Sequence, residues 1–599
     1  MSGPSPTTAA GALSTFSIKS GGSEIDSTIQ VYSIDTWSAV GKVPKARIVI
    51  LDGDVSEENF PVSSAPVFIP GKEIEIAAGY DNTNKTIFKG VVVKQSLEID
   101  TSQSSRLVVD VVDKALKMTL SRKNAIFEKI TDGDLIGKLI SANGLTKDVG
   151  STAVTHEDVV QFYCSDWDLM MTRAEMNGFV VVVDAGKVTV KAPDTGQSPV
   201  LTIAYGDSIL DLQAEMNAAT QYASSAIASS TWDPDTQKLV SSGPGTVSVT
   251  EAGNLSSAEL AKVFDIAAFP QQTNAPIEKD ALKEWSSGEL LKSKLSKIRG
   301  RVRFNGSALA KTGTVIALDG LGTRFNGNVY VGGVHHGIAD GLWTTTADFG
   351  LSATWFAAEA PDVEAPGAAA QLPAVCGLQT GIVKKVAADP AGEFRVEVSL
   401  PLLKDDAKGV WARLSGFYAS NKVGAVFYPE IGDEVVVGFM NDDPRYPVIL
   451  GSVYSKKLAP PVAPDEKNNK KVLVTRTKME LTFDEENQII EIKTPGKNVI
   501  TLSDKGKSIA IKDGKGNSVT LSESGIDIAS AAKLSLSAKG DVTIDAKGNL
   551  KMTAAANVNV EGLQIAHKAK TKFAADGAAQ AELTSSAMVT VKGALVKIN

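Results

Sequence analysis

Apolar and polar residues alternate one for one through much of the chain, the period of a strand with one face in a core. From Phe16 to about Asp113, IDSTIQVYSID, KARIVIL, KEIEIAAGY, TIFKGVVVKQSLEI and SRLVVDVVD run between Gly, Asn and Ser turns, which predicts an antiparallel barrel or sandwich. The period changes at 131–143, where Leu135, Ile136, Leu139 and Ile140 fall at helical spacing behind Thr131 or Asp132 as N-cap. A second helix is predicted over 165–177, capped by Ser165, with Trp167, Met170, Met171 and Ala174 on one face. FVVVVDAGKVTVKAP then reads as a hairpin around Ala185-Gly186.

Over 198–356 a further set of strands includes VLTIAYGDSILDLQAEMN, SKIRGRVRFNGSA, GTVIALDGL, GNVYVGGVHHGI and LWTTTADFGLS. Between them, SAELAKVFDIAAFP and DALKEWSSGELLKSKLSKIRG carry helical spacing. Small polar residues and two prolines predict a flexible arm over 1–15. The main body then spans 16–360, and a Pro/Ala/Gly-rich linker covers 361–373. A compact all-β unit of the size of a five-stranded barrel follows at 374–455, and a polar connector at 456–471. Beyond Val472 strands alone are predicted, to residue 599.

That last segment is repetitive. Apolar-x-apolar pairs recur as Ile526/Ile528, Leu534/Leu536, Val542/Ile544, Leu550/Met552 and Val558/Val560, each eight residues after the last. The step continues in a new phase through Ile565, Phe573, Ala581 and Val589. Upstream, Ile500/Leu502, Ile509/Ile511 and Val519/Leu521 are spaced by nine and ten. From Asn498 onward there is no proline and Phe573 is the only aromatic, so an ordinary globular core is excluded. An eight-residue unit is too short for one chain to coil around a core. Three chains wound together complete each layer, with one strand from each. The expectation is an intertwined trimeric β-helix that leaves few open edges, with a single-chain solenoid and a low-complexity tail as the alternatives.

Composition narrows the function classes. At 599 residues several domains are expected. The formal charge of -8, from 61 basic and 69 acidic residues, argues against a nucleic-acid sleeve. Two cysteines, Cys164 and Cys376, make no disulfide framework or zinc knuckle. The start, MSGPSPTTAAGALSTF, lacks a basic n-region and an apolar h-region, and no run approaches the roughly 18 apolar residues of a membrane span.

No catalytic, cofactor or metal site is predicted. His335-His336 lie in a strand, where neighbours point to opposite faces and share one ion poorly. His156 and His567 read as isolated surface groups. Asp442-Asp443 in MNDDPRYP read as solvated turn acids, and Gly432-Asp433-Glu434 as a turn entering EVVVGF. The 456–471 connector is far too short for a catalytic domain.

Four stretches together resemble the VgrG-type spike proteins of type VI secretion, and the hub-and-spike of contractile phage tails and extracellular contractile injection systems. They are VQFYCSDWDLMMTRAEMNGF; RGRVRFNGSALAKTGTVIALDGLGTRFNGNVYVGGVHHGI ending in DFGLS; GIVKKVAADPAGEFRVEVSLP through GAVFYPEIGDEVVVGFMNDDPRYPVILGSVY; and the octad array ending in AMVTVKGALVKIN. The third is the most specific. Its one departure is Glu393-Phe394-Arg395, where the family's barrel has Gly-Arg before a Val-x-Val strand.

The resemblance implies a mainly β fold with a hub of two related barrels and helical insertions over 16–360. It further implies an oligonucleotide/oligosaccharide-binding (OB) type barrel at 374–455 and a needle at 472–599. It implies a homotrimer that caps a hexameric inner tube, contacts baseplate components and meets the target membrane transiently, with no nucleic acid. A PAAR-type tip protein is expected on Val589, Val591, Leu595, Val596, Ile598 and Asn599. Assembly is expected in the bacterial cytoplasm, and the spike then acts outside the cell or inside a target. A tail-associated glycan hydrolase and a trimeric adhesin stalk are the alternatives.

Overall fold

The computed structural model describes residues 3–7, 12–101, 104–361, 363–402 and 408–598. They fall into two compact units, Met1–Val453 and Tyr454–Asn599.

Residues 16–360 are mainly β, as the alternation predicts, and a single 13-stranded sheet runs through both halves of the region. Its path is Asp211–Met216, Ile298–Asn305, Leu342–Phe349, Gly327–Ala339, Val31–Ala39, Lys45–Leu51, Ser105–Val112, Thr83–Ile99, Glu73–Tyr80, Ser14–Ser20 and Ser23–Glu24. Thr202–Ala204 and Val315–Asp319 branch from Gly327–Ala339. The sheet covers two separate cores. One holds Ile18, Ile34, Ile48, Ile50, Ile74, Ile76, Val109 and Val111, and the other Ile203, Val302, Phe304, Ile316, Val331 and Phe349. The long strand Gly327–Ala339 serves both, with Val331 in the second core and Ile338 in the first. Its register shifts between Val331 and Gly333. At the shift a Cβ on Gly332 would lie 2.6 Å from the Gly350 carbonyl, so only glycine admits the crossing.

A third core joins the helical insertions to a three-stranded sheet. The helix Asp132–Ala142 starts at Thr131, whose hydroxyl accepts from the Asp134 N–H at 3.2 Å. The helix Asp166–Met176 carries a capping box between Ser165 and Asp168, and it buries Trp167, Met170, Met171 and Ala174 as predicted. Ala185 and Gly186, at φ 52° and 77°, turn the hairpin of Val180–Asp184 and Lys187–Lys191.

Four expectations change. The helical spacing at 257–270 yields a helix only over Ser257–Ala261, and Phe269–Thr273 is a strand parallel to Ile227–Asp233. Pro270 disfavours helix at the residue before it, and Val263, Phe264 and Ile266 stay exposed, so no apolar face holds a longer helix. The arm expected to be flexible is held over Gly3–Thr7, where the Pro4 carbonyl accepts from the Thr202 N–H at 3.0 Å and Ser5 donates to Asp207 at 2.8 Å. The 361–373 stretch marks no break between compact units. It is tied forward instead, through Arg445 donating to Gln371 at 3.0 Å. Lastly, His156 belongs to a buried cluster, in which Arg173 grips Asp132 with two bonds of 2.6 and 2.8 Å and Asn177 and His156 reach the same carboxylate.

The closed barrel comprises Gln379–Lys385, Val396–Ser399, Val410–Leu414, Pro447–Ser452 and Glu434–Phe439. Val383, Val396, Val398, Ala412, Val435, Val437 and Ile449 fill it. At the departure from the family pattern, the Asp389 carboxylate accepts from the backbone N–H of Ala391, Glu393 and Arg395 and pairs with the Arg395 guanidinium at 2.8 Å. That clamp holds Phe394 at φ 60°, so a side-chain cradle replaces the glycine turn.

In the second unit, seven strands form a simple antiparallel meander: Lys470–Val474, Glu480–Asp484, Ile489–Lys493, Val499–Ser503, Ser508–Lys512, Ser518–Ser522 and Gly525–Ala529. Strand pairing within the chain ends at Ala529, short of the continuous strands predicted to residue 599. From Ser530 to Ile598 the chain is a series of short straight segments separated by bends. Among the described residues no helix is long and apolar enough to cross a membrane.

The Asp132 cluster generates a prediction. Burial opposes its charge, but Arg173, Asn177 and His156 together hold the carboxyl below the usual carboxylate range. A depressed pKa gives stability that is fully present above about pH 4 and is lost as pH falls through the folded-state value. Asp132→Asn is expected to cost about 3 kcal/mol at neutral pH, with the deficit shrinking below about pH 4. Hydrogen exchange across residues 132–142 measures both.

Candidate self-association surface

The meander exposes the face that ought to be buried. Cross-strand neighbours pair Leu473 with Leu481, Phe483 with Ile490, Ile492 with Ile500, and Ile500 with Ile511. The same face continues as Ile509 opposite Leu521 and Val519 opposite Ile528. Apolar partners on adjacent strands make a continuous sheet of hydrocarbon. In the single chain Ile492, Ile511 and Ile526 are 46%, 50% and 67% exposed. The opposite face carries Thr482, Glu491, Thr501, Ser503 and Thr520. A sheet needs a second layer against its apolar face, and within this unit the described residues supply none.

The segment beyond Ala529 repeats the problem in a stricter form. Bends fall at 531–532, 539–540, 547–548 and 555–556, the same eight-residue step as the apolar pairs. The next bend comes at 563, and the series resumes at 570–571, 578–579, 586–587 and 594. The one shortened step coincides with the phase change after Val560. The straight segments present an apolar pair at the second and fourth positions and Ala, Gly or Ser at the sixth, as in 533–538 (KLSLSA), 541–546 (DVTIDA) and 588–593 (MVTVKG), except that 564–569 (QIAHKA) has His567 at the fourth. Leu534, Ile544, Leu550 and Val560 are all more than half exposed.

Of the residues expected to seat a tip protein, Val589/Val591 and Val596/Ile598 occupy second and fourth positions of the last two segments. Their exposure runs from 47% at Val589 to 90% at Ile598, and Leu595 lies beside them at 75%. Asn599 lies outside the described residues. Sequence reasoning missed the upstream part of the surface, Leu473 to Ile492. The signal was present as the same apolar-x-apolar pattern in KVLV, ELTF and IIEI.

Of the groups considered for chemistry, His567 lies within the repeat, and His335, His336, Asp442 and Asp443 belong to the first unit. His335 bonds Asp35 at 2.8 Å and stacks on Trp37 with ring centroids 5.2 Å apart. His336 points to the other side of the sheet, buried and bonded to Thr345 at 2.9 Å. Burial, with His335 adjacent, pushes its pKa down to about 3, so it stays neutral at physiological pH. Asp443 is not a solvated turn acid: it is buried, and Arg445 bonds it at 2.7 Å and holds its carboxyl below the usual range. Asp442 is half-buried, and the strand Glu434–Phe439 begins directly after Gly432-Asp433. No three metal-ligating side chains cluster among the described residues of one chain.

Comparison with known proteins follows these divisions. Residues 379–454 match the type VI secretion system/phage-baseplate injector OB domain, and residues 489–551 the phage baseplate V C-terminal trimerisation domain. Residues 10–340, more than half of the chain, match the Alg8 N-terminal domain. The chain belongs to the Alg8 N-terminal domain family and is of the VgrG spike type. The spike protein VgrG5 of Pseudomonas aeruginosa is 30% identical over 111 residues, 17% of this chain and 13% of its own length. VgrG3 of Vibrio cholerae is 33% identical over 102 residues, 15% of this chain and 10% of its own length. The actin cross-linking toxin VgrG1 of Vibrio cholerae is 36% identical over 81 residues, covering 14% of this chain and 7% of the toxin. The chain thus spans 7–13% of the length of these relatives.

Among solved structures, a tail protein from Neisseria meningitidis aligns with 58% of this chain and 99% of its own, at 13% identity and a TM-score of 0.42. An Escherichia coli component of the type VI secretion system aligns with 73% of this chain and 99% of its own, at 14% identity and a TM-score of 0.36.

For this member of the family, a charge placed in the apolar face has a defined outcome. Ile492→Lys with Ile500→Lys sets two like charges opposite each other on that face. Self-association in sedimentation equilibrium is expected to be lost, while near-ultraviolet circular dichroism, reporting tryptophans that all lie before residue 412, stays unchanged.

Proposed function

We propose that three copies of this chain form the central spike of a contractile injection system, which caps a hexameric inner tube and is driven through a target membrane on sheath contraction. The observation that carries the reading is the uncovered apolar seam, with its fixed eight-residue step. Identical chains related by a three-fold axis present identical slots at each level, so a second and third copy cover the first completely. The match to a trimerisation domain over 489–551 supports the same oligomer.

The role is mechanical. A narrow rod whose backbone groups are bonded between chains concentrates force on a small membrane area, and no bond is broken in the target. Toxin activity belongs to the toxin-bearing relative, whose match here is confined to 81 residues. Of the groups that sequence reading considered for chemistry, His156, His336 and Asp443 are engaged in bonds within the fold. The hydrolase and adhesin alternatives are not favoured. The baseplate end is assigned to the hub of 16–360, and a PAAR-type tip protein to the last layers, Val589 to Asn599. Assembly precedes release, in the cytoplasm of the producing bacterium.

The purified protein is expected to sediment as a trimer that resists heat and detergent and does not cleave peptidoglycan. A monomer would sink the reading. Deleting residues 594–599 is expected to abolish capture of a PAAR-type tip protein and to leave the trimer intact.

A further inference from the structure

The helix Lys279–Leu295 buries two polar side chains, Ser286 and Glu289, against the three-stranded sheet of Ile227–Asp233, Lys238–Ser241 and Phe269–Thr273. The Ser286 hydroxyl accepts from the Ser229 N–H at 3.0 Å and lies 2.8 Å from both the Ser229 and the Ser242 hydroxyls. Gln271 donates its side-chain amide to Glu289 at 3.2 Å. The centre of this contact is therefore made of hydroxyls and amides, where a sheet ordinarily meets a helix through hydrocarbon. Such a contact exchanges its bonds with water when it opens and gives up little apolar burial, so the sheet can part from the helix as a unit.

Within it Glu289 is a carboxyl only 6% exposed, and its bonded donors are both neutral: the Gln271 amide and the Trp355 indole N–H at 2.7 Å. Lys292, on the same helix, favours its charge through space, but that ammonium is bonded to Glu175 at 2.6 Å and to the Thr354 carbonyl at 2.9 Å. Glu175 stands on the helix Asp166–Met176, and Glu359, on the segment that carries Trp355, accepts from Ser352. The strands bring Ser229 and Gln271 to the contact, while their charged residues Asp233 and Lys238 pair across the turn between two strands. Burial outweighs these partners and raises the Glu289 pKa.

We propose that the three-stranded sheet is a flap latched through Glu289, held shut in acid and loosened as pH rises. The sign follows from linkage: a carboxyl raised in the docked state adds stability that is fully present below the ordinary glutamate value of about 4.3 and is lost as pH rises through the docked-state value. Glu289 also holds Trp355, at the start of the segment that leads to the barrel, so loosening the flap withdraws one tie from that segment. The latch lies within one chain and does not depend on the trimeric reading.

Hydrogen exchange of the full-length protein from about pH 4.5 to about pH 8, corrected for the intrinsic exchange rate, tests the latch. Protection of 227–241 and 269–273 is expected to fall by roughly threefold or more across that range, while 132–142, whose buried carboxyl titrates lower, stays level. Glu289→Gln keeps an acceptor for Trp355 and removes the charge, so its flap should stay protected throughout. Trp355→Phe takes away a donor that the charged form relies on, so its fall should exceed the wild type's. Wild-type protection that is flat with pH overturns the latch, as does a fall of equal size in Glu289→Gln. Should Glu289→Gln fail to fold, Trp355→Phe decides, and a fall no larger than the wild type's overturns the proposal.

Discussion

A sheet that cannot bury its own apolar face governs the rest of this molecule. In the meander and the octads, one chain supplies the wall of a core and none of its filling. Burying a single Ile, Leu or Val side chain stabilises by about 1.5–3 kcal/mol. Two slots per layer from each of three chains therefore give on the order of 10 kcal/mol per layer. Against that stands the ordering of short, polar, glycine-punctuated segments, which costs about 1–2 kcal/mol per residue in backbone entropy. Summed over the eight residues that each of three chains orders, that cost exceeds the burial of one layer's slots, so no layer stands alone, and the contacts and hydrogen bonds between stacked layers supply the rest. A protein of this design is either fully assembled or not folded along the shaft.

The region 16–360 solves the complementary problem. It closes two cores under one sheet, and Gly327–Ala339 carries hydrogen bonds from one core to the other without a flexible joint. The helices Asp132–Ala142 and Asp166–Met176 meet in a third core, locked by the Asp132–Arg173 pair. Force transmitted through such a unit meets ladder hydrogen bonds and buried ion pairs, which yield less readily than a hinged linker. The bond from Arg445 to Gln371 adds a fixed point before the barrel.

Legibility in the sequence tracks how local the deciding physics is. The octad array was readable because its period, its slots and its phase change lie in consecutive residues. The caps at Thr131 and Ser165 were readable for the same reason. His156 was not, because Asp132 and Arg173 reach it across the fold and nothing in their spacing announces a cluster. Asp443 looked solvated because a turn was inferred without the arginine two residues on that folds back over it. The helix expected over 257–270 failed through Pro270 and through apolar residues with nothing to pack against. His567 is a different case: its slot was legible all along, but judging it by its immediate neighbours concealed the repeat position that defines it.

The two ends of the second unit differ in how strictly they repeat, and that difference has a mechanical sense. The meander up to Ala529 pairs its own strands, so each chain contributes a preformed sheet, and assembly there resembles the packing of three finished walls. Beyond Ala529 every layer depends on the other chains. Assembly that begins at the walls and zips toward Ile598 puts the register under the control of the self-paired region, where cross-strand apolar pairs already fix it. A shaft built only of octads could slip by one unit at little cost, because its layers are nearly alike. The looser nine- and ten-residue spacing upstream removes that degeneracy, and the shortened step after Val560 removes it again nearer the end.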